Sequence, residues 1–259
     1  MEKTPILAIM YDFDHTLSPR DMQEYGFIPD LGMEADVFWN KCLKAMKRNQ
    51  MDQILAYMYM MLEEAKGKLI VNRNMLRALG KDVQLFDGVS DWFARVNEYA
   101  RSRGLQPEHY IISSGLKEII EGTPIAKEFK EIYAASFCYD EHGVACWPAM
   151  AVNYTSKTQF LFRVNKGVLD VTEHRALNEF MPEEKRRVPF SNMIYVGDGL
   201  TDVPSMKLTK LNGGMMDKLM YVCGIVGLMV IGAMVASMVG LTTPITFAST
   251  GLVLQDVLN

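Results

Sequence analysis

Asp12 and Asp14 stand two residues apart, directly after the apolar run Ile6 to Tyr11. Side chains two apart on an extended chain point to the same side, so both carboxylates can face one crevice beyond the strand's carboxyl end. Two buried like charges repel, and a cation between them relieves the repulsion. The pair therefore invites Mg²⁺, and it can divide into one ionised and one protonated partner, the arrangement that acid–base chemistry needs. A plain alternative stands beside this reading, because aspartate after a strand is also a common turn residue or helix N-cap.

Two more apolar runs end in residues of the same kind. Tyr110 to Ile112 stops at Ser113-Ser114-Gly115, and Met193 to Val196 stops at Gly197-Asp198-Gly199-Leu200-Thr201-Asp202. A hydroxyl beside backbone N–H groups at a helix start near Leu116 makes a cradle for phosphate, though Ser-Ser-Gly by itself is equally a cap and a turn. Glycines on both sides of Asp198 let the backbone approach a ligand, and Asp202 shares its face if the chain turns helical. Carboxylate oxygens suit a hard cation such as Mg²⁺. An ordinary acidic loop has the same composition. Lys157, in Thr155-Ser156-Lys157-Thr158, is a cation able to balance several carboxylates and bind a phosphoryl oxygen. Taken alone, a single lysine reads as a solvated surface residue.

These residues need a scaffold that brings strand ends together. The short continuous apolar runs read as strands buried on both faces, with helix-like segments between them at Val89 to Arg103 and Thr172 to Glu179. The alternation predicts a doubly wound α/β fold, a Rossmann-like parallel sheet. Residues 18–85 change to helical periodicity, with Val37, Phe38, Cys42, Ala45 and Met46, then Ile54, Leu55, Met58, Met61 and Leu62, at spacings of three and four. They read as a helical insert returning to the sheet near Phe86-Asp87-Gly88-Val89. Two β-prone stretches around Asp140-Glu141-His142-Gly143 predict a hairpin.

The mean hydropathy of +0.01 suggests one chain of average polarity. The average blends two materials: all 27 Lys and Arg residues precede position 219, and residues 219–255 carry no charge. Residues 1–218 hold 27 basic and 30 acidic side chains (31 less Asp256), a balance that excludes intrinsic disorder and a basic nucleic-acid-binding domain. The four cysteines, Cys42, Cys138, Cys146 and Cys223, show neither zinc-site spacing nor a disulfide framework, which fits a reducing compartment. The N-terminal apolar run is too short and too soon charged for a signal peptide, so the body is expected in the cytosol.

In their order along the chain, the aspartate pair, Ser113, Lys157 and the acidic glycine-rich loop resemble the four motifs of the haloacid dehalogenase-like hydrolase superfamily. More narrowly, the chain resembles its phosphoserine-phosphatase-like branch, in which a helical cap follows the first motif. The resemblance covers about residues 5–214. It implies a phosphatase core formed by residues 1–17 and 86–214, a cap at 18–85, and Mg²⁺-dependent hydrolysis of a small phosphorylated metabolite. Asp12 would be the nucleophile that forms an aspartyl-phosphate, and Asp14 the acid and then the base. Thr16 would support the loop, while Ser113, Ser114, Gly115 and Lys157 would hold the phosphoryl group. Mg²⁺ would be held by Asp12, the Asp14 carbonyl and Asp198, with Asp202 orienting its shell. His15 stands where the family most often has glycine. A phosphate-binding protein without turnover and a phosphotransferase are the alternatives.

The resemblance stops near Met215. Residues 219–241 form a charge-free run of 23 residues, where a bilayer span requires about 20, and Gly232, Ala236 and Gly240 form a small-residue stripe. Lys207, Lys210 and Lys218 precede the run, so the positive-inside rule keeps the enzyme on the cytosolic face of a membrane. Residues 215–259 are thus expected to be an apolar tail with a C-terminal transmembrane helix. Two other readings stand: a last strand with a buried core helix, or a fused segment replacing the family's C-terminus.

Overall fold

The computed structural model describes residues 4–218. The proposed span at 219–241 lies outside them. Among the described residues, no helix is long and apolar enough to cross a membrane.

Strand β1 (Ile6–Tyr11) is followed by four helices, α1 (Phe27–Asp30), α2 (Ala35–Asn49), α3 (Gln53–Ala65) and α4 (Arg73–Leu79). Then come α5 (Val89–Ser102), β2 (Gln106–Leu116), α6 (Lys117–Glu121) and the strands β3 (Phe129–Tyr139) and β4 (Ala145–Met150). The chain continues through α7 (Lys157–Lys166), α8 (His174–Asn178), β5 (Met193–Gly197), α9 (Val203–Leu211) and β6 (Met215–Lys218). The sheet order is β4-β3-β2-β1-β5-β6, and every neighbouring pair is parallel except the β3–β4 hairpin. The architecture is mixed α/β and Rossmann-like, as the alternation of runs predicts. β6 continues the sheet past Gly213-Gly214, where the sequence reading begins the apolar tail.

Strand β1 shows why the aspartates lie where they do. Its residues alternate between two cores: Leu7, Ile9 and Tyr11 pack in the one that includes Phe93 and Val96 of α5, and Ala8 and Met10 in the one that includes Phe160 and Val164 of α7. Burial on both faces fixes the register, since a one-residue slip would exchange the two sets. The two neighbours, β2 and β5, carry their own motif residues to the same end of the sheet. The expected helix at Thr172 to Glu179 is shorter, His174–Asn178. In the hairpin, the Cys138 and Cys146 sulfurs lie 3.6 Å apart as free thiols.

At the opposite end of the sheet, buried Glu108 accepts hydrogen bonds from Tyr110 Oη (2.6 Å), Lys130 Nζ (2.6 Å) and Arg187. Burial alone would raise its carboxyl, but Arg187, Lys130 and Tyr110 hold it down to about 2, below the ordinary 4.5. A depressed folded-state value gives stability that is present above the unfolded value and lost as pH falls through the folded one. Glu108→Gln is therefore expected to lower the urea midpoint at pH 7, and the gap to the parent should narrow at pH 3. A gap of equal size at both values would rule out the ionised carboxylate as its source.

Candidate active site

Asp12 follows β1 directly and is 6% exposed. Its Oδ1 accepts from the Phe13 amide (2.7 Å), and its Oδ2 from Lys157 Nζ (2.7 Å). Lys157 opens α7, and its side chain is fully buried. The lone-lysine reading is thereby corrected: α7 begins against the strand ends, so its first side chain points inward rather than to solvent. The same ammonium donates to Asp202 Oδ1 (2.7 Å), which also accepts from Tyr195 Oη (2.8 Å). Burial would strip the Lys157 proton, but Asp12 and Asp202 together hold its ammonium above the usual lysine range. For Asp12, burial pushes the carboxyl up and Lys157 pulls it back.

Asp198 completes the cluster. Carboxylate oxygens of Asp12, Asp198 and Asp202 lie within 4.8 Å of one another. Thr16, fully buried, donates from its Oγ1 to Asp198 Oδ1 (3.3 Å), so it steadies an aspartate. Three carboxylates against one ammonium leave uncompensated negative charge, and all the donors are hard oxygens. That set fits Mg²⁺. Asp202 is already engaged through both oxygens, with Oδ2 accepting from the Gly199 amide (3.3 Å), which suits an orienting role better than direct ligation. Close packing explains Gly197: a Cβ there would meet Asp202 Cγ at 2.5 Å.

Asp14 lies outside the three-carboxylate group but near enough for Asp12 and Lys157 to act on its carboxyl. Its Oδ1 accepts from the Met22 amide (2.9 Å), and its side chain lines a separate cavity. Burial, with Asp21 and Asp12 nearby, holds its carboxyl well above the usual range. Both carboxyls of the pair are thus raised, Asp12 to about 7 beside Lys157 and Asp14 well above the usual range. Between them His15 takes a left-handed conformation (φ 57°), which explains a preference for glycine there.

The Ser113 segment runs into a helix start where one is expected. The chain stays extended to Leu116, α6 is a single turn beginning at Lys117, and Ser113 Oγ is buried and accepts from the Gly115 amide (3.0 Å). The β2–β3 ladder resumes at Leu116 after a register shift and keeps the segment extended up to that helix start. Ser114 Oγ is buried without a protein partner and lines the cavity. A Cβ on Gly115 would lie 2.1 Å from Met22 Cε and 2.8 Å from Asp14 Oδ2, so only glycine lets Asp14 come this close.

Several residues at the site escape sequence reasoning. Tyr195 had one signal, a hydroxyl in an otherwise apolar buried strand that must find a partner. Asp21, Gln23, Trp39 and Tyr57 line the cavity of about 430 Å³ beside Asp14. Nothing in their spacing marks them, because the walls are drawn from a loop, α2 and α3.

A family model described as haloacid dehalogenase-like hydrolase matches residues 9–207. A second, described as PTS system mannose/fructose/sorbose family IID component, matches residues 205–259. The chain is 26% identical over 233 residues to an uncharacterized protein of Borreliella burgdorferi, covering 80% of this chain and 79% of that one. Among solved structures it is similar to a substrate-bound phosphoserine phosphatase complex, with TM-score 0.53, 13% identity and coverage of 83% and 93%. A family hydrolase from Salmonella enterica serovar Typhi gives TM-score 0.52 and 15% identity, covering 79% of this chain and 61% of that longer one. A probable phosphoserine phosphatase from Vibrio cholerae, in unliganded form, gives TM-score 0.52 and 11% identity, covering 91% and 68%. At these identities the structural likeness is one of fold.

Proposed function

The chain belongs to the haloacid dehalogenase-like hydrolases, and from that premise we propose that it is a Mg²⁺-dependent phosphomonoester hydrolase acting on a small phosphorylated metabolite. One observation carries the reading: Asp12, Asp198 and Asp202 converge around Lys157 while Asp14 faces a cavity in a proton-retaining setting. An Asp12 oxygen attacks phosphorus in line, and the bond to the leaving oxygen breaks. Asp14 gives its proton to that oxygen, then takes one from the water that hydrolyses the aspartyl-phosphate, returning Asp12 and inorganic phosphate. Lys157 opposes the burial that raises the Asp12 carboxyl and offers its charge to a phosphoryl oxygen. Ser114 Oγ is free to donate to another, with Ser113 and Gly115 shaping that wall.

Asp12 and Asp198, with the Asp14 carbonyl, would hold Mg²⁺, and Asp202 would orient them. Mg²⁺ there would neutralise phosphoryl charge. Residues 1–17 and 86–214 are assigned to the phosphatase core and 18–85 to the cap, an assignment supported by α2 and α3 walling the cavity. A membrane anchor at 219–241, with the enzyme on the cytosolic face, rests on the length of the charge-free run.

The test is release of p-nitrophenol from p-nitrophenyl phosphate by the full chain. Turnover is expected with Mg²⁺, should stop with excess EDTA and should return when Mg²⁺ is restored. No turnover of any of several phosphomonoesters with Mg²⁺ present would refute the reading.

A further inference from the structure

The cavity beside Asp14 is where the leaving group of such a substrate must sit, so its lining selects the substrate. Among the described residues, no lysine, arginine or histidine lines it. The ammonium of Lys157 is engaged by Asp12 and Asp202, outside that lining. A carboxylate or second phosphate on the substrate would need a cationic fork or point charge here, and would instead meet Asp21.

The cavity's acidic groups are acceptors, and its uncharged polar residues, Gln23, Gln53 and Ser114, carry acceptors as well as donors. Gln23 is 2% exposed, lines the cavity, and its Oε1 has no hydrogen-bond partner. Asp21 presents a carboxylate, 3.7 Å from His15 Nε2, with the Asp21 and His15 side chains 37% and 51% exposed. The aromatic walls have their polar handles occupied: Trp39 Nε1 donates to Glu24 (2.8 Å), and Tyr57 Oη donates to the Ser114 carbonyl (2.8 Å). Trp39 and Tyr57 therefore offer the cavity ring surface alone, with centroids 6.3 Å apart. An unpaired acceptor, a carboxylate and two aromatic rings together suit a ligand that is a donor and a cation.

We propose that the pocket takes a small leaving group bearing an ammonium and no carboxylate, which makes aminoalkyl phosphomonoesters the substrate class. This rests on the phosphatase reading of the Asp12–Asp14 site. A cavity of about 430 Å³ holds such a group with room for water.

Three substrates that differ by one group each provide the test on the full chain with Mg²⁺: O-phosphoethanolamine, O-phosphoserine, which adds a carboxylate, and ethyl phosphate, which lacks the ammonium. The expected kcat/KM for O-phosphoethanolamine exceeds that of each of the others at least about tenfold, the scale of one well-placed charge contact. Asp21→Lys is expected to reverse the order of O-phosphoethanolamine and O-phosphoserine. Equal or better turnover of O-phosphoserine or ethyl phosphate by the parent overturns the proposal. Turnover of p-nitrophenyl phosphate with none of the three accepted overturns it and leaves the phosphatase reading standing. If no phosphomonoester is turned over, the phosphatase reading fails, and calorimetry with ethanolamine and with acetate decides the pocket's preference. Binding of ethanolamine and not acetate then supports the ammonium site, and any other result overturns it.

Discussion

Asp12→Asn is expected to reduce phosphatase turnover at least about a thousandfold while leaving the chain folded, because the amide keeps the shape of the carboxylate and loses its nucleophilicity. The substitution removes one of two buried carboxylates bonded to Lys157, and Asp202 remains at 2.7 Å to hold the ammonium. It also removes one of three mutually repelling carboxylates. The thermal midpoint should therefore fall by no more than a few degrees, or rise. Steady-state kinetics with p-nitrophenyl phosphate, paired with a melting curve, separates the two effects. Activity retained at the parent level would remove Asp12 from the chemistry. Activity lost together with the fold would mean that the carboxylate is chiefly structural.

Lys157→Met should have the largest effect on stability. Methionine matches the length of the lysine stem, so the change is mainly one of charge. It leaves Asp12 and Asp202 buried with no ammonium between them. Breaking a buried ion pair from one side costs about 3–5 kcal/mol. The sign of its pH dependence follows from the direction of the carboxyl shifts. Burial already raises Asp12, and Lys157 is the first influence opposing it. Without Lys157 the folded-state value of Asp12 climbs further above its unfolded value, which lies near 4. Such groups favour the folded state below the unfolded value and lose that advantage as pH rises through the folded one. The deficit of Lys157→Met relative to the parent should therefore grow from pH 5 to pH 8, measured from urea unfolding midpoints without metal. A deficit independent of pH would point to lost packing instead. Saturating Mg²⁺ should recover part of the loss at pH 8, since a divalent cation supplies the missing positive charge.

The strand ends were the legible part of this molecule. Ile6–Tyr11 and Met193–Gly197 are apolar runs closed by aspartates, and burial on both faces leaves no other way to read them. The order of the motifs then carried the resemblance that the family model bears out. What a single chain hides is direction. Lys157 has the composition of a surface residue, and only the docking of α7 on the sheet turns it inward. Thr16 reads as a loop support, but that it supports Asp198, 182 positions away, is a fact of tertiary packing. The helix start expected near Leu116 is present at Lys117, whereas the strand running extended right up to it was not legible in Ser-Ser-Gly. Helical periodicity located α2 and α3, yet Val37 and Leu55 fall on the periodic stripe and are exposed among the described residues.

The reacting groups and the cavity walls come from different stretches of chain, and this has an evolutionary consequence. The carboxylates sit on sheet ends where Gly115 and Gly197 admit no side chain, so sequence drift is blocked there. Much of the wall lies on two helices, at positions such as Trp39, Met46 and Ile54, whose side chains can be exchanged singly without displacing a reacting atom. Heritable change is thereby channelled into recognition. A lineage built on this chain can adopt a new leaving group by a few helix substitutions while its phosphoryl chemistry is inherited intact.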